Sequence, residues 1–206
     1  MKMKASVLSL KNLFIKDKAL ISAFFAALTG VLTGALIYGF KLNNTNNPLF
    51  DLFISFNTDF TGKSQAEIFS GIAISVLVYF LALFLSGTSF TGKYLCIFAT
   101  FFKMLGIGAF ISFLYVKYGL KGLEYVLLVF FPGKTILFFS SLFMTKYSFD
   151  MSNKVKNGIY EKGSSTDFIK TYYLRSMIIL FVFLLSAVVD FVTIKVFSPL
   201  FDFLIL

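Results

Sequence analysis

Residues 101–122 read FFKMLGIGAFISFLYVKYGLKG, and their reading decides the fold. The run is apolar enough for a bilayer, yet Lys103 stands well inside it. Gly106 and Gly108 follow the lysine closely, and Gly119 and Gly122 lie beyond the apolar stretch. A soluble core helix of this length would show a polar face; here there is none, so the solvent around it is lipid.

The rest of the chain agrees. Of 206 residues, 58% are hydrophobic and 14% charged, against about 45–50% and about 25% in soluble domains. The apolar residues gather in five blocks of spanning length, about 19–40, 68–85, 94–116, 120–144 and 176–197. A helix needs roughly 20 apolar residues to cross a bilayer. The expectation is an all-α integral membrane protein, a bundle of about five transmembrane helices forming a single membrane domain. The first block is too long for the core of a cleavable signal, and no small-x-small site closes it.

The net charge is +9. Five lysines precede the first block, six basic residues lie in the loop 145–175, and Lys93 occupies the turn between the second and third spans. Only Lys41, Lys63, Lys117 and Lys121 fall on the other side. Short basic loops stay in the cytoplasm, so the expected topology has a cytoplasmic N-terminus and an external C-terminus. The loop 145–175 is then cytoplasmic and 41–67 external. The positive charge reads as an orientation signal and a contact with membrane lipid, not as a nucleic-acid surface. In the external loop, Leu49, Phe50, Phe53 and Ile54 fall on one helical face and Asp51, Ser55 and Asp59 on another. That pattern predicts a short interfacial helix, and residues 5–16 predict a second one on the inner surface.

Chemistry is bounded by what the chain lacks. It has no histidine and a single cysteine, Cys96. Zinc-protease sites, serine or cysteine triads and disulfides are therefore not expected, nor is any cofactor or metal, and an enzymatic role is not expected. What stands out instead is charge inside the apolar layer. A lysine at mid-bilayer costs roughly 3 kcal/mol on insertion scales. Lys103 and Lys134 are central in their spans, Asp190 lies two-thirds through the last, and Glu124 sits near the outer end of the fourth. Two readings are open: a buried ion-pair network, with Asp190 the favoured partner of Lys103 and Glu124 the second choice, or a polar pocket for an anionic ligand or partner residue. Pro132 and Gly133, in FFPGKT, predict a kink or break in the fourth span. Ser22, Ala26, Gly30 and Gly34, four apart, predict a close helix-packing stripe. It serves either this chain's own helices or a partner's transmembrane helix.

Taken in order, LSGTSFTG, FFKMLGIGAFISFLYVKYGLKG and FFP resemble the stage II sporulation protein M family of multi-pass membrane proteins. The family shows a G-x-S-x-x-G turn, a K-G-x-x-x-G-F run, a G-x-x-G turn and a mid-span proline. Gly87, Ser89 and Gly92 match the first turn, Lys103 and Gly108 the run, Gly119 and Gly122 the second turn, and Pro132 the proline. Met104, Ala109 and Gly133–Lys134 depart from the pattern. Asp190 and Pro199 resemble the family's acidic-residue-then-proline ending. The resemblance implies a scaffold in the mother-cell membrane that recruits two membrane-anchored peptidoglycan-degrading partners, the D and P proteins of the same stage. Those partners carry out septal wall thinning and forespore engulfment. The expected partners also include a second copy of the chain, in a homo-oligomer. The alternative is a small transporter or channel-like subunit with an intramembrane anion or ion-pair pocket.

Overall fold

The computed structural model describes residues 18–40, 64–156 and 165–201, and among them the chain is helical with no strand. The elements are α1 (Lys18–Phe40), α2 (Gln65–Thr88), α3 (Gly92–Tyr118), α4 (Leu120–Tyr125), a π-helical segment (Val126–Phe130), α5 (Phe131–Lys156), α6 (Ser165–Phe197) and a 3₁₀ turn (Ser198–Leu200). Five helical stretches are long and apolar enough to cross a membrane, with α4, the π segment and α5 running together as the fourth. This is the architecture of a multi-pass membrane protein. The expected interfacial helices at 5–16 and 49–59 lie outside the described residues.

Local sequence explains where the helices begin and turn. Ser64 starts α2 with a reciprocal cap: its hydroxyl accepts from the Glu67 amide, while the Ser64 amide donates to the Glu67 carboxylate at 2.7 Å. The second and third spans meet across Ser89–Thr91, and the third and fourth across Gly119 alone. Gly119 has φ +60°, a conformation a β-carbon disfavours. Gly122 lies against the Leu114 carbonyl so closely that a β-carbon would overlap it.

Two helices outrun the expected spans. Within the segment expected as a loop, residues 145–156 and 165–175 are helix: α5 continues to Lys156 and α6 begins at Ser165. Hydropathy detects the apolar layer, whereas lysine-rich sequence remains good helix former beyond it. Nor is the fourth span broken at Pro132. The helix widens to π geometry just before it, with the Phe131 amide bonding the Val126 carbonyl. Thr193 of α6 then donates to the Val129 carbonyl at 2.8 Å. The π turn carries the backbone past the proline, and the Thr193 hydroxyl adds a bond to a carbonyl of the same segment, so the chain stays helical in lipid.

Three apolar clusters hold the bundle. One joins α2, α3, α5 and α6 around Phe80, Leu83, Leu137 and Phe183. Another closes the far end, where Phe110, Tyr125 and Phe130 pack with Phe201 beyond the last helix. The third lies beneath α1, where Ala23 and Ala27 meet Met104 and Leu142. Large apolar side chains such as Phe25, Leu32, Val78, Phe98 and Phe181 point away from the protein, as lipid-facing residues do.

Candidate functional site

The intramembrane charges come from three spans and lie in one layer. Lys134 Nζ of α5 donates to Asp190 Oδ2 of α6 at 2.7 Å. Their side chains are 17% and 5% exposed, so the pair is nearly dry. Gly133 makes room for it, since a β-carbon there would fall on the Asp190 carboxylate. The Lys134 ammonium also lies 5.1 Å from the Phe130 ring centre.

Asp190 is therefore not the ion-pair partner of Lys103, as the sequence suggests. Depth counted along separate spans does not resolve which lysine faces α6; the α5–α6 contact does, because it sets Gly133 and Lys134 directly against Ser186 and Asp190. Lys103 turns instead toward α2. Its Nζ donates to Ser75 Oγ at 2.9 Å and lies 5.8 Å from the Tyr79 ring centre. Lys134 and Asp190 act on it only through space. Lys103 is half-buried and has no ion pair among the described residues. Glu124 takes no part in the layer; it sits exposed on α4, one turn after Gly119.

The packing stripe of α1 is occupied by the chain itself. A β-carbon on Gly30 would come within 2.5 Å of the Phe101 carbonyl, and one on Gly34 would overlap the Leu105 carbonyl. From the other side, Gly108 lies equally close to the Val31 carbonyl. Backbone thus meets backbone across α1 and α3, and the stripe is not a free docking face for a partner helix at these glycines. Its register also differs from an even spacing of four. Ala19, Ala23, Ala27, Gly30 and Gly34 are the buried positions, while Ser22 and Ala26 are half-buried. Four residues overshoot a 3.6-residue turn, so an unbroken i+4 series drifts off the contact line. Gly106 is buried on α3 as well.

A second polar feature is absent from the sequence expectations. On α5, Ser141, Thr145, Ser148 and Ser152 are fully buried and spaced 4, 3 and 4 apart, which puts them on one face. Thr145 bonds Thr100 at 2.7 Å, and Thr100 accepts from the Tyr79 hydroxyl at 3.4 Å. Ser148 donates to the Leu83 carbonyl at 2.7 Å, beside Tyr172, whose hydroxyl reaches the Phe84 carbonyl at 2.8 Å. Ser152 donates to the Ser89 carbonyl and accepts from the Lys93 amide, each at 2.9 Å. The hydroxyl periodicity at 141–152 signals this ladder, but only once that segment is read as helix.

The ladder explains the turn glycines. Gly87 lies against the Tyr172 hydroxyl and the Ser148 α-carbon, and Gly92 against the Ser86 carbonyl and the Ser152 hydroxyl. With Ser89 between them, these are the residues of the G-x-S-x-x-G turn, and here they seal that turn onto α5. Gly119, Gly122 and Pro132 have the turn and π roles given above. Among the described residues no three His, Cys, Asp or Glu side chains gather as a metal-binding set.

Compared with protein-family models, with curated proteins and with solved structures, the chain matches none.

Proposed function

We propose that this chain is a non-catalytic scaffold or anchoring subunit of the cell membrane, in the manner the stage II sporulation protein M resemblance implies. The observation that carries this reading is the closure of the intramembrane charges on the protein's own groups. Lys134 is neutralised by Asp190 at 2.7 Å with the carboxylate almost wholly buried. Ionisable side chains that serve a pathway face a water-filled cavity, and a paired, dry layer suits instead a rigid element that presents its surface to partners. The motif glycines add to this: Gly87, Gly92, Gly108 and Gly122 each make a tight contact, and Gly119 takes the positive φ of its turn.

On this reading the partners are membrane-anchored peptidoglycan-degrading proteins. Where the organism forms spores, the site is the mother-cell membrane and the process septal wall thinning before engulfment. Affinity capture of the tagged chain from its native membranes is expected to recover a peptidoglycan hydrolase. Recovery of the chain with no cell-wall enzyme, from cells actively remodelling their wall, overturns the proposal.

The orientation proposed is N-terminus cytoplasmic and C-terminus external, from the distribution of Lys and Arg. Cysteines placed at Asn46 and at the exposed Lys156 are expected to react with an impermeant reagent from outside intact cells only at position 46. The native Cys96 is buried. Labelling at 156 alone inverts the topology.

One observation favours transport as a second reading: Lys103 has no carboxylate against it among the described residues. Purified chain in liposomes is expected to carry no anion or proton flux above empty vesicles. A flux abolished by Lys103→Met replaces the scaffold with a transporter.

A further inference from the structure

A space walled by charged and aromatic side chains lies at the other end of the bundle from Gly119, between α5 and α6. It has a volume of about 380 Å³, and its lining includes Tyr147, Asp150, Asn153, Lys154, Phe168 and Arg175. Its two cations are held in a reciprocal way. Lys154 of α5 stands over the Phe168 ring of α6, 3.1 Å from the centre, and Arg175 of α6 stands over the Tyr147 ring of α5, 5.2 Å from the centre. A cation on a ring face is fixed in place while its N–H groups remain available to oxygen acceptors. The one lining carboxylate, Asp150, already has an interaction of its own, so two cations face the cleft against one anion.

Depth identifies the ligand. Tyr147 lies three residues past Met144, where the apolar run ends, and Asp150 six, which is about 4.5 Å and 9 Å along the helix. Arg175 immediately precedes the apolar run that starts at Ser176. The cleft therefore begins at the hydrocarbon edge and runs outward through the headgroup layer, about 5–8 Å thick. Below it the outward residues are acyl-chain neighbours such as Met177 and Ile178, both exposed. A basic, aromatic-walled cleft between spans at this level has the chemistry of an anionic headgroup site.

We infer that the α5–α6 cleft binds the phosphate headgroup of an anionic phospholipid, with Arg175 and Lys154 as the phosphate-binding cations and Tyr147 and Phe168 as the rings that position them. The acyl chains lie along the outer face of α6. This site is independent of the scaffold proposal and of which leaflet the cleft occupies.

Native mass spectrometry of the full chain in detergent, with phosphatidylglycerol or phosphatidylcholine added at equal concentration, tests it. The intact protein is expected to retain phosphatidylglycerol preferentially. Arg175→Gln and Lys154→Gln are each expected to lower that retention roughly fivefold, as about 1 kcal/mol per basic residue implies. Lys170→Gln, exposed on α6 but outside the cleft, is expected to change it less than twofold. Arg175 is itself exposed, so its variant keeps the fold and decides the matter even where Lys154→Gln does not. Equal retention of the two lipids overturns the inference, and so does an equal loss in Lys170→Gln, which means diffuse attraction. Displacement of the lipid by glycerol 3-phosphate at matching concentration also overturns it, in favour of a soluble anion.

Discussion

The first and last spans lean on the same middle of the bundle by opposite means. α1 is fixed to α3 through what its residues lack: Gly30, Gly34 and Gly108 let two backbones touch. The hydroxyls of Ser22, Thr29 and Thr33 bond back to carbonyls of α1 itself. α6 is fixed through polar groups it projects, with Asp190 to Lys134, Thr193 to the Val129 carbonyl and Tyr172 to the Phe84 carbonyl. Lipid is as apolar as leucine, so helices in it associate by close packing or by hydrogen bonds rather than by hydrophobic expulsion. This protein uses each route at a different edge. The routes differ in how they fail: a glycine contact is lost by adding atoms, a polar contact by removing one partner and stranding the other.

The largest effect expected is at the charged contact. Asp190→Asn leaves Lys134 buried without a counter-charge and is expected to cost about 3–5 kcal/mol. Unfolding in mixed detergent measures it, and Lys134→Met combined with Asp190→Asn is expected to recover most of the loss. If the two losses simply add, the pair is not what fixes α6.

Next come the glycines. Gly34→Leu and Gly108→Leu are expected to destabilise by about 1–3 kcal/mol or more, because the obstacle is backbone that cannot step aside. Gly39→Ala is the control. A β-carbon there meets only the Ser112 hydroxyl, at 3.5 Å, and a change below about 0.5 kcal/mol is expected. Similar results at all three positions erase the distinction between α1 and α6.

Thr193→Val removes the donor to the Val129 carbonyl and is expected to cost about 0.6–1 kcal/mol. A larger loss, with altered helicity, places the hydroxyl at the centre of the π segment rather than in a supporting part. The smallest effect sharpens the contrast inside the charged layer itself. A double-mutant cycle of Lys103→Met with Asp190→Asn is expected to give a coupling below about 1 kcal/mol, well under that of Lys134 with Asp190. Equal couplings make the layer a three-member network instead of a pair and a neighbour.

Much of this is legible in the chain. Five spans follow from composition, the glycines at 30, 34 and 108 announce close approach because small residues let helix backbones meet, and those at 119 and 122 announce the turn. The partner of Asp190 is not legible. Lys103 and Lys134 are both near the centre of their spans, and only the rotation of α5 about its axis, set by Gly133, decides between them. The ends of α5 and α6 are hidden for a different reason. Lys146, Lys154 and Lys170 mark the edge of the membrane but say nothing about the end of a helix. The ladder from Ser141 to Ser152 disappears with them, since its spacing has meaning only on a continuous helix. Pro132 points to a kink or a break; the π segment before it, and the bond that the Thr193 hydroxyl, 61 residues later in the chain, gives to the Val129 carbonyl, are not announced by the sequence.

The main contacts of α1 are with α3 and α5 rather than with α2, its neighbour in the chain. During synthesis the glycine face of the first helix therefore has nothing to close upon until the third has been made. At roughly 5–20 residues per second, the stretch from the end of α1 to the end of α3 takes several seconds to elongate. Throughout that interval a bare groove travels with the nascent chain, either sheltered by the insertion machinery or open to lipid. The order in which the helices are born is thus not the order in which they can pack.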